Sequence, residues 1–487
     1  MSVDNFLIEN FKSRNIAVIG DVMLDRYVYG NVARLSPEAP IPVLRAQHEK
    51  FMLGGSANVA RNLVALGATA TLVGAIGHDD AGETVAAELK NFGIQGQLIK
   101  TPLVPTTVKT RFIANEQQIL RLDIEERLIP NDALSNAVIA EAKAAIATSN
   151  AVIISDYDKG LLSPEVLGVV LTLARDAGIP TVVDPKGRDF SRYSGATVIT
   201  PNADEAALVT GIACDDDTGV EKALRALLRD VPVDAVVMTR GARGMTVLGP
   251  RNGLMEPLHI RATAREVFDV SGAGDTAAAT IALCVASGVP LADSARIANA
   301  AAGLAVAKRG TAVIYPHELS NSLFSNALTS IEKKMMPRAQ LLQAVRQWRS
   351  EGFRIGLTNG CFDLIHPGHI ALLQKARASC DKLIVAINSD ESVRRLKGIS
   401  RPVQSETARS IVLAAIVDVD AVTIFDEDTP LELIADVMPD VLIKGSDYAP
   451  EQVVGADLVR AHGGTLLLVP LEEGHSTSAM ISRAVRD

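Results

Sequence analysis

Along most of this chain, short runs rich in Val and Ile alternate with longer stretches whose apolar residues recur at helical spacing. Residues 16–19, 151–154, 181–183, 197–199 and 235–239 read as buried strands, with helix-like stretches at 132–148 and 165–177 between them. Continuous apolar strands separated by helices predict a mostly parallel sheet covered on both faces. The alternation restarts after Trp348. Strands are predicted at 354–358, 382–387, 441–444 and 465–469, and helices at 370–379 and 406–415. Two successive α/β units are expected, the second smaller.

The length, 487 residues, agrees with more than one domain. The join is placed at 319–340. There residues 321–330 are polar, 332–334 charged, and Pro337 interrupts any helix before a new one at 338–349. The expected domains are therefore 1–318 and 341–487. Aromatics are only 4% of the chain, so Ala, Val, Leu and Ile must fill the cores. Cys214, Cys284, Cys361 and Cys380 are far apart and read as reduced thiols. Residues 1–15 lack the apolar core of a secretory signal, and the longest apolar run, 277–290, is too short to span a bilayer. A formal charge of −9 speaks against a nucleic-acid binder. The expectation is a cytoplasmic protein without nucleic-acid or membrane partners.

One segment in the first unit carries chemistry: Asp269-Val-Ser-Gly-Ala-Gly-Asp-Thr276, followed at once by an Ala-rich helical run. Gly272 and Gly274 let backbone N–H groups approach a phosphate, and the helix adds its positive end. Asp275, at the same helix end, is placed to take a proton from an attacking hydroxyl. Phosphoryl transfer needs this combination of anion cradle and nucleophile-orienting group. Alone, the tetrapeptide 272–275 also reads as a tight turn capped by an acid.

Other segments decide between the two. Gly54-Gly-Ser-Ala-Asn58, Gly20-Asp21 with Asp25, the run 74–82, Asn202-Ala-Asp-Glu205 and Thr239-Arg-Gly241 with Gly244 occur in that order. Together with 269–276 they resemble the ribokinase/PfkB sugar kinase family over about residues 10–318. The resemblance implies a ribokinase-like three-layer fold with Asp275 as catalytic base. It places Asp25, Gly54, Gly55 and Asn58 at the sugar. Asn202, Ala203, Asp204, Glu205, Thr239, Gly241, Gly244, Gly272, Gly274 and Asn299 fall on the ATP side. Asn202 and Glu205 would act on Mg²⁺ through water. Lys186, beside a strand end, is the candidate for a phosphate on the sugar; Arg188, Lys109 and Arg111 are further basic candidates.

The second unit opens with a strand and then Thr358-Asn-Gly-Cys-Phe-Asp363-Leu-Ile-His366-Pro-Gly-His369. His366 and His369 would share one face of a first helical turn, where their N–H groups meet a triphosphate as pyrophosphate leaves. A zinc pair is the alternative, but no compact third and fourth ligand accompanies them. With Asn388-Ser-Asp390, Lys397 to Pro402, Lys444 to Tyr448 and His475-Ser-Thr-Ser478, this segment resembles the cytidylyltransferase-like nucleotidyltransferases over about residues 350–485. The resemblance implies a Rossmann-like domain, with Ser476 and Thr477 contacting phosphate.

Both halves in this order, with the segments 20–27, 35–43 and 358–363, resemble the family of bifunctional heptose 7-phosphate kinases and heptose 1-phosphate adenylyltransferases. That resemblance implies phosphorylation of D-glycero-D-manno-heptose 7-phosphate at C1. It also implies AMP transfer from ATP to heptose 1-phosphate, giving ADP-heptose for the lipopolysaccharide core. Mg²⁺, ATP in both reactions and a homodimer are expected with it. Two alternatives remain open: another phosphosugar kinase joined to a CTP-using transferase, and a binding protein with a non-catalytic kinase scaffold. Intact Gly272, Gly274 and Asp275 speak against the scaffold.

Overall fold

The computed structural model describes residues 10–115, 117–262, 267–308, 310–445 and 449–470. The chain divides into two compact units, Met1–Phe324 and Ser325–Asp487.

The first unit holds, in chain order, β1 (Asn15–Gly20), β2 (Val22–Leu35), β3 (Pro42–Gly55), β4 (Thr69–Gly77), β5 (Gln95–Thr101), β6 (Thr107–Ala114), β7 (Gln117–Ile124), β8 (Ala151–Ser155), β9 (Thr181–Asp184), β10 (Val198–Ile199), β11 (Ala235–Thr239), β12 (Met245–Gly249) and β13 (Leu254–Ile260). Nine of them form one sheet in the order β13-β12-β11-β10-β9-β8-β1-β4-β5. All its pairs from β5 to β11 are parallel, and β12 and β13 add antiparallel at the edge. Residues on β1 alternate between two cores, Ile16 and Val18 in one and Ala17 and Ile19 in the other. That alternation is why β1 reads as continuously apolar. Helices Ser56–Ala65, Ala273–Ala286 and Leu291–Val306 cover the first face. Helices Asp132–Ile146, Pro164–Asp176 and Asp217–Asp230 cover the second. The expected three-layer α/β fold is thus present.

A further sheet, β3-β2-β6-β7, lies outside the expected alternation. β2 pairs antiparallel with β3 and parallel with β6, and β6 pairs antiparallel with β7. β2 follows β1 after one residue, so Asp25, the fourth residue of β2, belongs to the smaller sheet yet stays close in chain to the end of β1.

Helix Pro316–Lys334 runs through the segment where the units divide, and helix Arg338–Ser350 follows. The second unit is one parallel sheet of β14 (Ile355–Gly360), β15 (Lys382–Asn388), β16 (Ala421–Phe425), β17 (Val441–Gly445) and β18 (Thr465–Val469), ordered β16-β15-β14-β17-β18. The chain order reverses direction at β14, as it does at β1 in the first unit. Such switch points open a crevice beyond the carboxyl ends of the strands. Both sets of chemistry-bearing residues lie there.

Candidate active sites

In the first unit, Gly55 has φ of 58°, and the chain turns there from β3 into helix Ser56–Ala65. This points Asn58 inward. Gly272 has φ of 79° and turns the chain into helix Ala273–Ala286, whose first turn carries Asp275. The two helix starts meet: Asn58 Nδ2 donates to Asp275 Oδ2 at 2.6 Å. A Cβ on Gly272 would come within 2.9 Å of Asn58 Nδ2, so this glycine is needed for the approach as well as for the turn. Gly54 similarly clears Asp25, whose Oδ2 a Cβ would meet at 2.8 Å. Asp25 is buried and ion-paired with Arg111. Gly274 has open space around its Cα, consistent with a ligand's approach. Asp25, Gly54, Gly55, Asn58, Gly272 and Asp275 thus converge on one region.

Burial lifts the Asp275 carboxyl to about 6, against hydrogen bonds from Asn58 and Tyr157 that lower it. Near it, Asp184 at the end of β9 is pushed well above the carboxylate range by burial, then by the charges of Asp275 and Glu205.

The residues expected on the ATP side are placed by local capping. Asn202 caps helix Ala203–Thr210, with Ala203 and Asp204 in its first turn. Asn202 Oδ1 accepts from Glu205 N–H at 2.8 Å, and Glu205 Oε2 accepts from Asn202 N–H at 2.9 Å. Thr239 bridges to Asn202, and Gly241 and Gly244, both at positive φ, shape the following loop. Asn299 Nδ2 donates to the Arg261 carbonyl at 2.8 Å, tying its helix to the exit of β13. Lys186 Nζ lies 2.6 Å from Glu205 Oε1. Although burial opposes its charge, Glu205 keeps the Lys186 ammonium above its ordinary pKa.

Among the described residues no three His, Cys, Asp or Glu groups converge on a possible metal position. Asn202 and Glu205 already satisfy each other, so direct ligation would open the capping box, whereas contact through water would leave it intact. The pair fits a Mg²⁺ held mainly by nucleotide phosphates and water.

Arg61 and Tyr157 were not singled out from sequence. Arg61 Nη2 donates to Asn58 Oδ1 at 2.9 Å and so fixes which end of the amide faces Asp275. Its signal was its place three residues after Asn58 on one helix. Tyr157, just past β8, donates from its hydroxyl to Asp275 Oδ1 at 2.5 Å. Buried Asp21, quoted from sequence with Gly20 but given no role there, lies past β1 and accepts N–H bonds from Tyr157, Lys159 and Leu161. Both stand where the strand-end rule looks for function.

In the second unit His366 is the N-cap of helix Pro367–Arg377, and the His366 carbonyl accepts from His369 N–H at 2.8 Å. The two rings lie 3.8 Å apart between centroids, and Phe362 packs 5.1 Å from His369. Burial, then the proximity of His366 and Lys397, lowers His369 to about 4, so it is neutral near pH 7. Asp363 is buried and accepts from Arg401 Nε at 2.6 Å and from the N–H groups of Val403 and Gln404. Burial alone would raise its carboxyl; these bonds hold it below its usual range. Arg409, fully buried, donates to the Cys361 carbonyl at 2.6 Å and to Asp390 at 2.7 Å. From helix Glu406–Ala414 it fastens the loop before Asp363 to the start of helix Asp390–Lys397. Ser476 and Thr477 lie outside the described residues.

Two family matches bear on these sites. Residues 13–318 match the pfkB family carbohydrate kinases, and residues 357–463 match the cytidylyltransferase-like family. The first unit has the fold of Arabidopsis thaliana ribokinase complexed with ribose and ATP (TM-score 0.51, 20% identity, 64% of this chain and 98% of that one). It also has the fold of Escherichia coli phosphofructokinase-2 in complex with substrates and products (TM-score 0.54, 18% identity, 64% and 99%). The protein is therefore a carbohydrate kinase joined to a nucleotidyltransferase, both using ATP.

Relatives similar over nearly the whole length narrow this. The bifunctional protein HldE of Caulobacter vibrioides is 49% identical over 97% of each chain. That of Rhodospirillum rubrum is 47% identical over 96% of this chain and 94% of its own. The chain belongs to the bifunctional HldE family, with heptose kinase and adenylyltransferase activity. No helix among the described residues is long and apolar enough to cross a membrane.

Proposed function

We propose that Asp275 is the base that activates the C1 hydroxyl of D-glycero-D-manno-heptose 7-phosphate. The hydroxyl oxygen attacks the γ-phosphorus of ATP, the bond to the β-bridging oxygen breaks, and the proton passes to Asp275. The observation that carries this reading is a buried carboxylate with a pKa of about 6, held at a helix start beside the open backbone of Gly274. Its pKa suits a base working near neutrality. Asp25, Gly54, Gly55 and Asn58 line the sugar side, and Asn202 to Glu205, Thr239, Gly241, Gly244, Gly272 and Asn299 the ATP side. Lys186, drawn to Glu205, orients that acid and stands ready for phosphate. Mg²⁺, when bound, neutralises phosphate charge.

In the second unit, His366 and His369 hold the triphosphate while an oxygen of heptose 1-phosphate attacks the α-phosphorus. The bond to the bridging oxygen breaks, pyrophosphate leaves and ADP-heptose forms for the lipopolysaccharide core. Ser476 and Thr477 contact phosphate in this reading. The domains are residues 1–318 and 341–487, and the protein works in the cytoplasm.

The first product is a 1,7-bisphosphate and the second substrate a 1-phosphate, so a phosphatase must act between them. Incubation with heptose 7-phosphate and Mg-ATP, with and without a C7 phosphatase, tests the whole reading. Bisphosphate alone without the phosphatase and ADP-heptose with it are expected. ADP-heptose formed without a phosphatase would overturn the sequence of steps.

A homodimer is supported by the apolar residues exposed on the four-stranded sheet, among them Leu120, Leu122 and Ile124 on β7. A second copy covering that face is the expected occupant. Light scattering that gives a monomer mass would overturn it.

A further inference from the structure

The kinase base is held at both oxygens, and the second holder has no assigned role. Asn58 donates to Oδ2 at 2.6 Å and the Tyr157 hydroxyl to Oδ1 at 2.5 Å. The two holders come from different elements. Asn58 is fixed through Arg61, and Tyr157 belongs to the loop after β8, whose backbone Asp21 grips at residues 157, 159 and 161. Lys109 Nζ stands 5.8 Å from the centroid of the Tyr157 ring. A carboxylate bonded at one oxygen can still swing about its Cβ–Cγ bond; bonded at both, its plane is fixed.

We infer that Tyr157 is a positioning residue of the kinase reaction, whose hydroxyl locks the plane of the Asp275 carboxylate and favours its ionised form, leaving the remaining lone pairs for the sugar hydroxyl. The inference rests on the reading of Asp275 as the base. The phenol itself stays a donor at working pH, since burial and then the Asp275 charge push its pKa well above the ordinary value. The charged or titratable groups facing Asp275 are Asp25 on β2, Arg61 on helix Ser56–Ala65 and Tyr157 itself; Asp184 on β9 faces both Asp275 and Tyr157. Of these, Tyr157 alone donates a hydrogen bond to the carboxylate.

The test is Tyr157→Phe in the full chain, which keeps the ring under Lys109 and removes only the hydroxyl. Kinase kcat and KM for heptose 7-phosphate are measured from pH 5.5 to 9 beside Asp275→Asn, with calorimetry of both variants as a control for folding. Removing a donor to the ionised form raises a carboxylate's pKa. The expected result is a kcat about 10-fold lower at pH 6.5 and closer to wild type at pH 8.5, with KM changed less than 2-fold. An acid limb that coincides with wild type overturns the inference, whatever happens to kcat. So does a faster enzyme with a lower KM, which would mean that Tyr157 occupies the sugar hydroxyl's place. If Asp275→Asn retains full activity, the base reading itself fails; if that variant is inactive and Tyr157→Phe has an unshifted limb, only the inference about Tyr157 fails.

Discussion

Asn58 Nδ2 donates to Asp275 Oδ2 at 2.6 Å, joining residues 217 positions apart in the chain. Two glycine-led helix starts therefore act as one device. Gly55 turns Asn58 inward, Gly272 turns Asp275 toward it, and Gly272 lacks the Cβ that would keep them apart. In the proposed reading, a sugar bound at the first segment is presented to the base on the second.

Asp275→Asn removes the proposed proton acceptor but keeps the size and one hydrogen-bonding oxygen. Sugar phosphorylation is expected to fall by about 10²- to 10⁴-fold, the usual contribution of a general base. AMP transfer should be unchanged, because its residues lie in the other compact unit. ADP release and pyrophosphate release, assayed on one preparation, check both halves.

Kinase activity should also follow the protonation of Asp275. Its carboxyl is raised by burial to about 6. Above that pH the base is ionised and competent; below it the proton occupies the site, and kcat falls toward tenfold per unit. A kcat profile with no acid limb between pH 5 and 7 would rule out this assignment.

Much of this was legible in the sequence, for identifiable reasons. The main sheet was legible because strands such as Ile16–Ile19 feed two cores and so read as unbroken apolar runs. The smaller sheet was not, because β2 mixes Asp25, Arg26, Tyr27 and Gly30 without alternation, and β7, where Leu120, Leu122 and Ile124 alternate with Arg121 and Asp123, is exposed nearly throughout and feeds no core. Within the kinase site, Asp275, Asn58 and the glycines stood in recognisable segments. Tyr157 and Arg61 did not, since their part depends on contacts across the fold: a tyrosine after β8 reaching the helix start 118 positions later.

Gly272→Ala and Gly274→Ala should separate backbone strain from ligand clearance. At 272 a Cβ meets Asn58 Nδ2 at 2.9 Å, and φ is 79°. The variant is expected to lose about 1–3 kcal/mol of kinase-unit stability and most of its sugar phosphorylation. At 274 nothing lies within 4 Å. That variant should melt like wild type yet raise KM for ATP. Thermal melts and initial rates check the pair.

His369→Ala should leave the kinase intact and reduce AMP transfer by about 10²-fold, the loss seen when one preorganised donor to developing phosphate charge is removed. Neutral at pH 7, the ring acts through its N–H rather than a full charge. His369→Gln, which keeps an N–H donor, should recover part of the rate. Equal rates for the two variants would show that the donor is not what His369 supplies.

Arg409→Met tests what holds the second site in shape. The arginine is fully buried and donates to the Cys361 carbonyl at 2.6 Å, to Asp390 at 2.7 Å and to the Gln404 carbonyl at 3.2 Å. Methionine fills similar volume but leaves those acceptors without their donor. Removing one partner of a buried pair costs about 3–5 kcal/mol, and the lower end applies because Asp390 keeps some exposure. The residues released include the turn into Asp363, whose bonds to Arg401, Val403 and Gln404 tie down the segment that follows Lys397, the lysine whose charge reaches His369. Calorimetry of the full chain should show the nucleotidyltransferase transition moving down while the kinase transition stays, since each unit has its own core. AMP transfer should weaken below that transition too, because the loop is loosened before the unit unfolds.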